Sequence, residues 1–326
     1  MRASRAALLG SALAAAAIAV AAVLGAGPVA AASAAASAAT AAPHCYGAAA
    51  HDPSNPCPNP VLSAYPAEGS VASFPYTTDC KLVHEQPGPV CTFGVSAAQA
   101  KAHIALIGDS HALHWRAALE DAAHTMHWRG YSITTAGCIF SAASRYLPAG
   151  FRADCDPWYR AATAWFRQHP EVSTVFVSQF APTPVVPPAG ESYGVTKVTG
   201  FQRTWRALPK TVKHIIVIRD TPATTDAARA CVRTVLAAGT QAPGPACETP
   251  RSVALRWDTA VTAATDLHSP RYGSVDLTDF FCDRSNCEPV IGGVRVYNDD
   301  DHITAVYSRT LAPYLVRKVR ALMTTW

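Results

Sequence analysis

Beyond residue 97 the chain alternates short apolar runs with amphipathic stretches. His103 to Ile107 is an apolar run that predicts a buried strand, and Gly108-Asp109-Ser110 follows at once. From Ala112 to Arg129, Leu113, Ala117, Leu119, Ala122, Ala123 and Met126 recur near helical spacing with polar residues between them. The pattern is strand, tight turn, helix. Tyr131–Thr135, Thr174–Ser178, His214–Ile218 and Ser274–Leu277 predict four further strands. Helices are expected from Asp156 to about His169, with Pro157 well placed in the first turn, and over Pro222–Ala237, Arg251–Ala264 and Thr304–Leu322. Strands alternating with helices predict an α/β fold with a parallel sheet covered on both faces. Strands buried on both sides read as continuous apolar runs, as these do. Sites in such sheets lie beyond the carboxyl ends of the strands, where strand order reverses.

The first hundred residues read differently. Met1 to Arg5 is a basic lead, Ala6 to Leu24 an unbroken run of small apolar residues, and Ala30-Ala31-Ala32 a small-residue cleavage site. Together they predict a signal peptide over 1–32. The competing reading is an uncleaved anchor, because the run is just long enough to span a bilayer. Its alanines partition weakly into lipid, which favours cleavage and no stable membrane span afterwards. Residues 33–43 are Ala/Ser/Thr-rich and read as a disordered linker. Residues 44–97 are dense in proline and hold four cysteines without helical periodicity, which predicts a stapled, loop-rich extension. Residues 98–326 then form the principal domain.

Export gives the cysteines a meaning. All ten lie beyond the leader, and an even count in an exported chain reads as disulfides. They fall in close couples, so nearest-neighbour pairing is the simplest connectivity: Cys45–Cys57, Cys80–Cys91, Cys138–Cys155, Cys231–Cys247 and Cys282–Cys287. A zinc site is the rival, but no C-x-x-C pair occurs. Net charge is +4, about +2 once Arg2 and Arg5 leave with the leader, and no basic block occurs. Nucleic acid is therefore not an expected partner.

Ser110 ends a strand-turn and opens a helix. A serine there is commonly an N-cap, yet the same turn, with Gly108 permitting a sharp bend, presents a nucleophile beside helix N–H groups. A hydroxyl needs a base. Among twelve histidines, His302 stands out in Tyr297-Asn298-Asp299-Asp300-Asp301-His302. Asp299, three residues earlier, can accept the Nδ1–H of His302 and aim Nε2 outward, as a triad requires. The plainer alternative is an acidic turn capping the last helix, with Asp301 as cap. His111 is expected on a different face of the new helix, and His114, His124 and His127 as surface or packing residues.

These blocks resemble the SGNH hydrolase superfamily, above all the extracytoplasmic SGNH domains attached to bacterial membrane-bound acyltransferases. Ile104 to Ala112 is similar to their nucleophile block, and Tyr297-x-Asp299-x-x-His302-Ile303-Thr304 to their terminal block. The Cys282/Cys287 pair and the Cys-rich lead also resemble that group. The resemblance implies a three-layer α/β/α sandwich of flavodoxin-like form, with residues 98–326 as its catalytic domain. It implies cleavage or transfer of acyl esters, often acetyl, on cell-envelope sugars, without metal or cofactor. It also implies oxyanion donors at Ser110, at Gly137 after the second strand, and after the third strand. There the chain departs from the family pattern: Ser178-Gln179-Phe180 replaces a Gly-x-Asn-Asp motif, leaving Gln179 as the candidate amide donor. A membrane acyltransferase region does not occur in these 326 residues, so such an enzyme is expected as a separate partner.

Two other classes are compatible with the residues. A metal-dependent phosphoesterase would use Asp299, Asp300, Asp301 and His302 as ligands. A silent carbohydrate-binding protein of the same fold would stack sugars on tryptophans such as Trp115, Trp128, Trp158, Trp165 and Trp205, although their helical setting favours core packing.

Overall fold

A computed structural model describes residues 45–55, 57, 61–70, 81–85, 88–146 and 155–326. The predicted signal peptide, the linker and Cys80 lie outside the described residues. Seven strands form the central sheet: β1 (Lys81–Glu85), β2 (Gly88–Gly94), β3 (Ala102–Gly108), β4 (Trp128–Thr134), β5 (Val172–Ser178), β6 (His214–Ile218) and, after the two-residue β7 (Thr249–Pro250), β8 (Tyr272–Val275). Their order is β1-β2-β4-β3-β5-β6-β8. The five strands β4-β3-β5-β6-β8 run parallel, in the second-first-third-fourth-fifth order of a flavodoxin-like sheet. β3 is therefore the strand from which the chain winds both ways, and the crevice between the carboxyl ends of β3 and β5 is the switch point.

The central parallel strands bury alternate side chains into two separate cores, which is why Ile104–Ile107, Val175–Val177 and Ile215–Ile218 read as continuous apolar runs. Ile104 and Leu106 of β3, Phe176 of β5, and Ile216 and Ile218 of β6 face one core. Ala105, Ile107, Val175, Val177, Ile215 and Val217 face the other. The first layer is built by α2 (Arg116–Met126), which follows the single turn α1 (Ser110–His114), and by the closing pair α9 (Ala305–Thr310) and α10 (Ala312–Met323). The second is built by α3 (Cys155–Gln168), α4 (Tyr193–Ala207) and α8 (Thr259–Asp266). The remaining helices are α5 (Asp226–Ala238) and the short turns α6 (Pro243–Ala246) and α7 (Arg251–Ala254). β9 (Asn286–Cys287) pairs with β7, and β10 (Val290–Ile291) with β11 (Val294–Arg295). The three-layer α/β/α arrangement is the expected one. Among the described residues no helix is long and apolar enough to cross a membrane.

Several elements depart from the sequence pattern, each for a physical reason. The extension expected to be loop-rich contributes the hairpin β1–β2, and β2 pairs antiparallel with β4 at the sheet edge. The helix expected over 112–129 breaks at Trp115. There the Ser308 hydroxyl donates to His114 O at 2.7 Å and accepts from Ala118 N at 3.2 Å, replacing the lost helical partners. The helix expected from Pro222 starts at Asp226 instead, because the Thr225 side chain caps it by accepting from Ala228 N. Thr225→Ala is expected to cost about 1 kcal/mol in a urea unfolding experiment. The bridges Cys45–Cys57, Cys138–Cys155, Cys231–Cys247 and Cys282–Cys287 are all present, and Cys91 is also disulfide-bonded.

Candidate active site

The site is assembled at the predicted switch point. Gly108 ends β3 with φ +146°, and a Cβ there would sit 2.0 Å from Ser178 O and 2.9 Å from Ala112 Cβ. Only glycine lets the two strand ends approach so closely. Asp109, not Ser110, caps α1: its carboxylate accepts from His111 N at 2.9 Å and from Phe180 N at 2.9 and 3.2 Å. The cap thus ties the turn that carries Ser110 to the segment after β5. Ser110 becomes the first helical residue, and its Oγ lies 2.8 Å from His302 Nε2.

The segment after β11 brings the imidazole there. Tyr297 bridges Ile303, and Asn298 N donates to His302 O at 2.8 Å, closing a tight loop. Inside it Asp299 Oδ1 accepts from His302 N at 2.7 Å and from Asp301 N at 3.1 Å. The Asp299 carboxylate lies 3.0 and 3.1 Å from His302 Nδ1. Thr224 N donates to Asp300 O at 2.8 Å, which moors the loop beyond the carboxyl end of β6. The structure therefore brings Ser110, His302 and Asp299 together.

Four further polar residues gather near this trio: Asp301, His111, Asp220 and His114. Asp301 Oδ1 is 2.9 Å from His302 Nδ1 and 3.5 Å from His111 Nε2. His111 is buried and its Nδ1 lies 2.6 Å from Asp220 Oδ1, just past β6. The sequence pattern puts His111 on another helix face; its ring in fact sits 4.7 Å from that of His302. His114, expected at the surface or in packing, is fully buried with its ring 4.8 Å from His111.

Burial and charge oppose each other throughout the cluster. Burial works against a charged His302, but Asp299 and Asp301 outweigh it and hold the imidazole up at about 9, with His111 pulling the other way. Burial also opposes a charged His111, yet Asp220 and then Asp301 push it well above the ordinary range. Burial would raise Asp301 and Asp299, but His111 and His302 outweigh it at Asp301, and His302 with the Asp301 N–H outweighs it at Asp299, so both stay below the usual carboxylate range. His114 is driven well down by burial and by the cations of His111 and His302. One layer deeper, the fully buried Lys197 donates to Ala181 O; burial lowers it to about 8 against the pull of Asp258, Asp220 and Asp109.

Ser110 and His302 open onto a cavity of about 380 Å³ whose wall includes Gly137, Arg145, Phe180 and Thr183. Gly137 thus lines the same cavity as Ser110. Gln179 does not: it is 1% exposed, and its amide has no hydrogen-bond partner among the described residues. The five named tryptophans are all buried, Trp115, Trp165 and Trp205 almost completely, so they serve the cores rather than a sugar. The carboxylates of Asp299, Asp300 and Asp301 do approach within 4.8 Å of one another, but Asp299 and Asp301 are both engaged by imidazole.

Residues 76–317 match the pattern of the SGNH domain that occurs fused to AT3 domains. The chain belongs to this SGNH family. The periplasmic domain of a lipopolysaccharide acetyltransferase from Salmonella ser. Paratyphi A shares the fold of this SGNH chain, with TM-score 0.52 at 13% identity over 70% of this chain and 90% of that one. A soluble variant of monoglyceride lipase from Saccharomyces cerevisiae, solved with a substrate analogue, gives TM-score 0.35 at 8% identity over 77% of this SGNH chain and 98% of that one, too distant to carry weight. No curated protein sequence gives a significant match.

Proposed function

We propose that this SGNH domain is an extracytoplasmic serine esterase or O-acyltransferase in which Ser110 is the nucleophile, His302 the general base and Asp299 its orienting carboxylate. The observation that carries the reading is the 2.8 Å contact between Ser110 Oγ and His302 Nε2, with carboxylate at the opposite ring nitrogen. His302 takes the hydroxyl proton as Ser110 attacks the ester carbonyl, and returns it to the departing alcohol. The acyl-serine is then resolved by water or by a sugar hydroxyl. Backbone N–H groups of Ser110 and Gly137 are the proposed oxyanion donors. An acetyl ester of cell-envelope carbohydrate is the proposed substrate class, supported by membership of a family fused to AT3 domains. A membrane acyltransferase is then the natural acyl donor. Disulfides support an oxidising, extracytoplasmic compartment.

A fluorophosphonate probe is expected to label Ser110 and to leave Ser110→Ala unlabelled; labelling elsewhere, or none, counts against the reading. Esterase activity is expected to survive a strong chelator, whereas a metal-dependent phosphoesterase would lose its turnover. Because His302 must be neutral to accept a proton and is held near about 9, kcat/KM is expected to rise with pH toward that value. A profile already flat at pH 6 would contradict a base held up by two carboxylates.

A further inference from the structure

We propose that Asp301 is a positioning residue shared by two imidazoles, joining His302 to the buried His111 and through it to Asp220. The inference rests on the proposed roles of Ser110 and His302 and adds the groups that set the strength of the base. A single oxygen, Asp301 Oδ1, lies 2.9 Å from His302 Nδ1 and 3.5 Å from His111 Nε2. The other His111 nitrogen is 2.6 Å from Asp220 Oδ1. A ring with carboxylate at both nitrogens carries a proton on each, so His111 is an imidazolium. Asp220 is fixed in turn by backbone: Oδ2 accepts from Ala181 N at 2.7 Å and Oδ1 from Thr221 N at 2.9 Å. The order of support therefore runs from the rigid ends of β5 and β6 through Asp220 and His111 to Asp301 and the base.

The groups facing His111 are Asp109 and His114 from its own turn, the Phe180 ring from the segment after β5, Asp220 from that after β6, and Asp301 and His302 from the last loop. Lys197 and Asp258 stand behind Asp220: Asp258 Oδ2 accepts from Asp220 N at 2.9 Å, and Lys197 feels both carboxylates. Within this set Asp301 and His111 act on His302 with opposite sign. The carboxylate favours the imidazolium form of His302; the His111 cation, with its ring 4.7 Å away, disfavours it and shares the same oxygen.

The test is the pH profile of kcat/KM on an activated acetate ester. Asp301→Asn keeps an acceptor oxygen but removes the charge, so the acidic limb is expected to move down by about one pH unit. His111→Gln is expected to move it up by a similar amount, with the high-pH plateau less affected. Limbs that stay put, or that move the same way in both variants, overturn the proposal; a purely structural role would lower the plateau and leave the limb in place. Should His111→Gln fail to fold, NMR titration of imidazole nitrogens in the wild-type chain decides. His111 should stay doubly protonated while His302 titrates, and a His111 that is neutral below the His302 midpoint overturns the proposal. The same titration in Asp301→Asn reads the His302 shift without turnover, so it stands or falls apart from the esterase reading, which fails if Ser110→Ala retains activity.

Discussion

Ser110→Ala is expected to lower kcat/KM on an activated acetate ester by roughly 10⁴-fold or more, because it removes the proposed nucleophile. His302→Ala is expected to fall as far, since it deletes the imidazole 2.8 Å from the serine hydroxyl, the proposed base. The two losses should not add. Groups that act as one unit cost about as much singly as together, so the double variant should match either single one within about tenfold. Independent, multiplying losses would mean that the serine and the histidine serve different steps. Both side chains are partly exposed at the cavity wall, and their alanine variants should unfold at nearly the wild-type urea concentration.

The second large effect falls on the scaffold. Gly108→Ala puts a methyl group 2.0 Å from Ser178 O at a backbone φ of +146°, where side chains are strained whatever the room. β3 and β5 pair Gly108 directly with Ser178, so relief requires parting the two strands that define the switch point. Backbone strain and overpacking of this kind cost about 3–5 kcal/mol together, a large part of the stability of an ordinary domain. Urea unfolding at unchanged m-value measures it, and a loss below about 1 kcal/mol would show that the close approach is not required.

The sheet was readable in the sequence where burial leaves no freedom. β3, β5 and β6 are covered on both faces, so their central stretches Ile104–Ile107, Val175–Val177 and Ile215–Ile218 are apolar at every position and the runs are unmistakable. α4 was not readable. Gly194, Val195, Thr196, Val198, Thr199 and Gly200 are poor helix formers, and the helix exists because Phe201, Thr204 and Trp205 are buried against the second core, with Ser192 capping its start. The hairpin β1–β2 was hidden by its proline and cysteine content and is held by pairing with β4, a partner some forty residues on. Strand order follows from packing among distant segments and had no local signature.

The same division runs through the site. Asp299 and His302 share one loop, so their spacing alone implied their contact, and Ser110 announced itself by the turn that Gly108 permits. Asp220 meets His111 across 109 positions, and no periodicity encodes that pairing. The available hints were two: a histidine directly after Ser110 in a helix whose inner face must be buried, and an aspartate beyond the carboxyl end of β6, at the rim where sites form. Gln179 looked like a substitute amide donor because it follows β5, but the Phe180 N–H after it is taken by Asp109 and the glutamine itself lies buried off the cavity.

The claim beneath all of this is that one hydroxyl carries the acyl group. Rapid acid quenching of the protein during turnover of an acetate ester, followed by digestion and mass spectrometry, measures it directly. The expected result is a single acetyl group on the peptide that holds Ser110, accumulating in the wild type and missing from His302→Ala. An acetyl group on another residue, or turnover with no acylated peptide at any quench time, would contradict the claim.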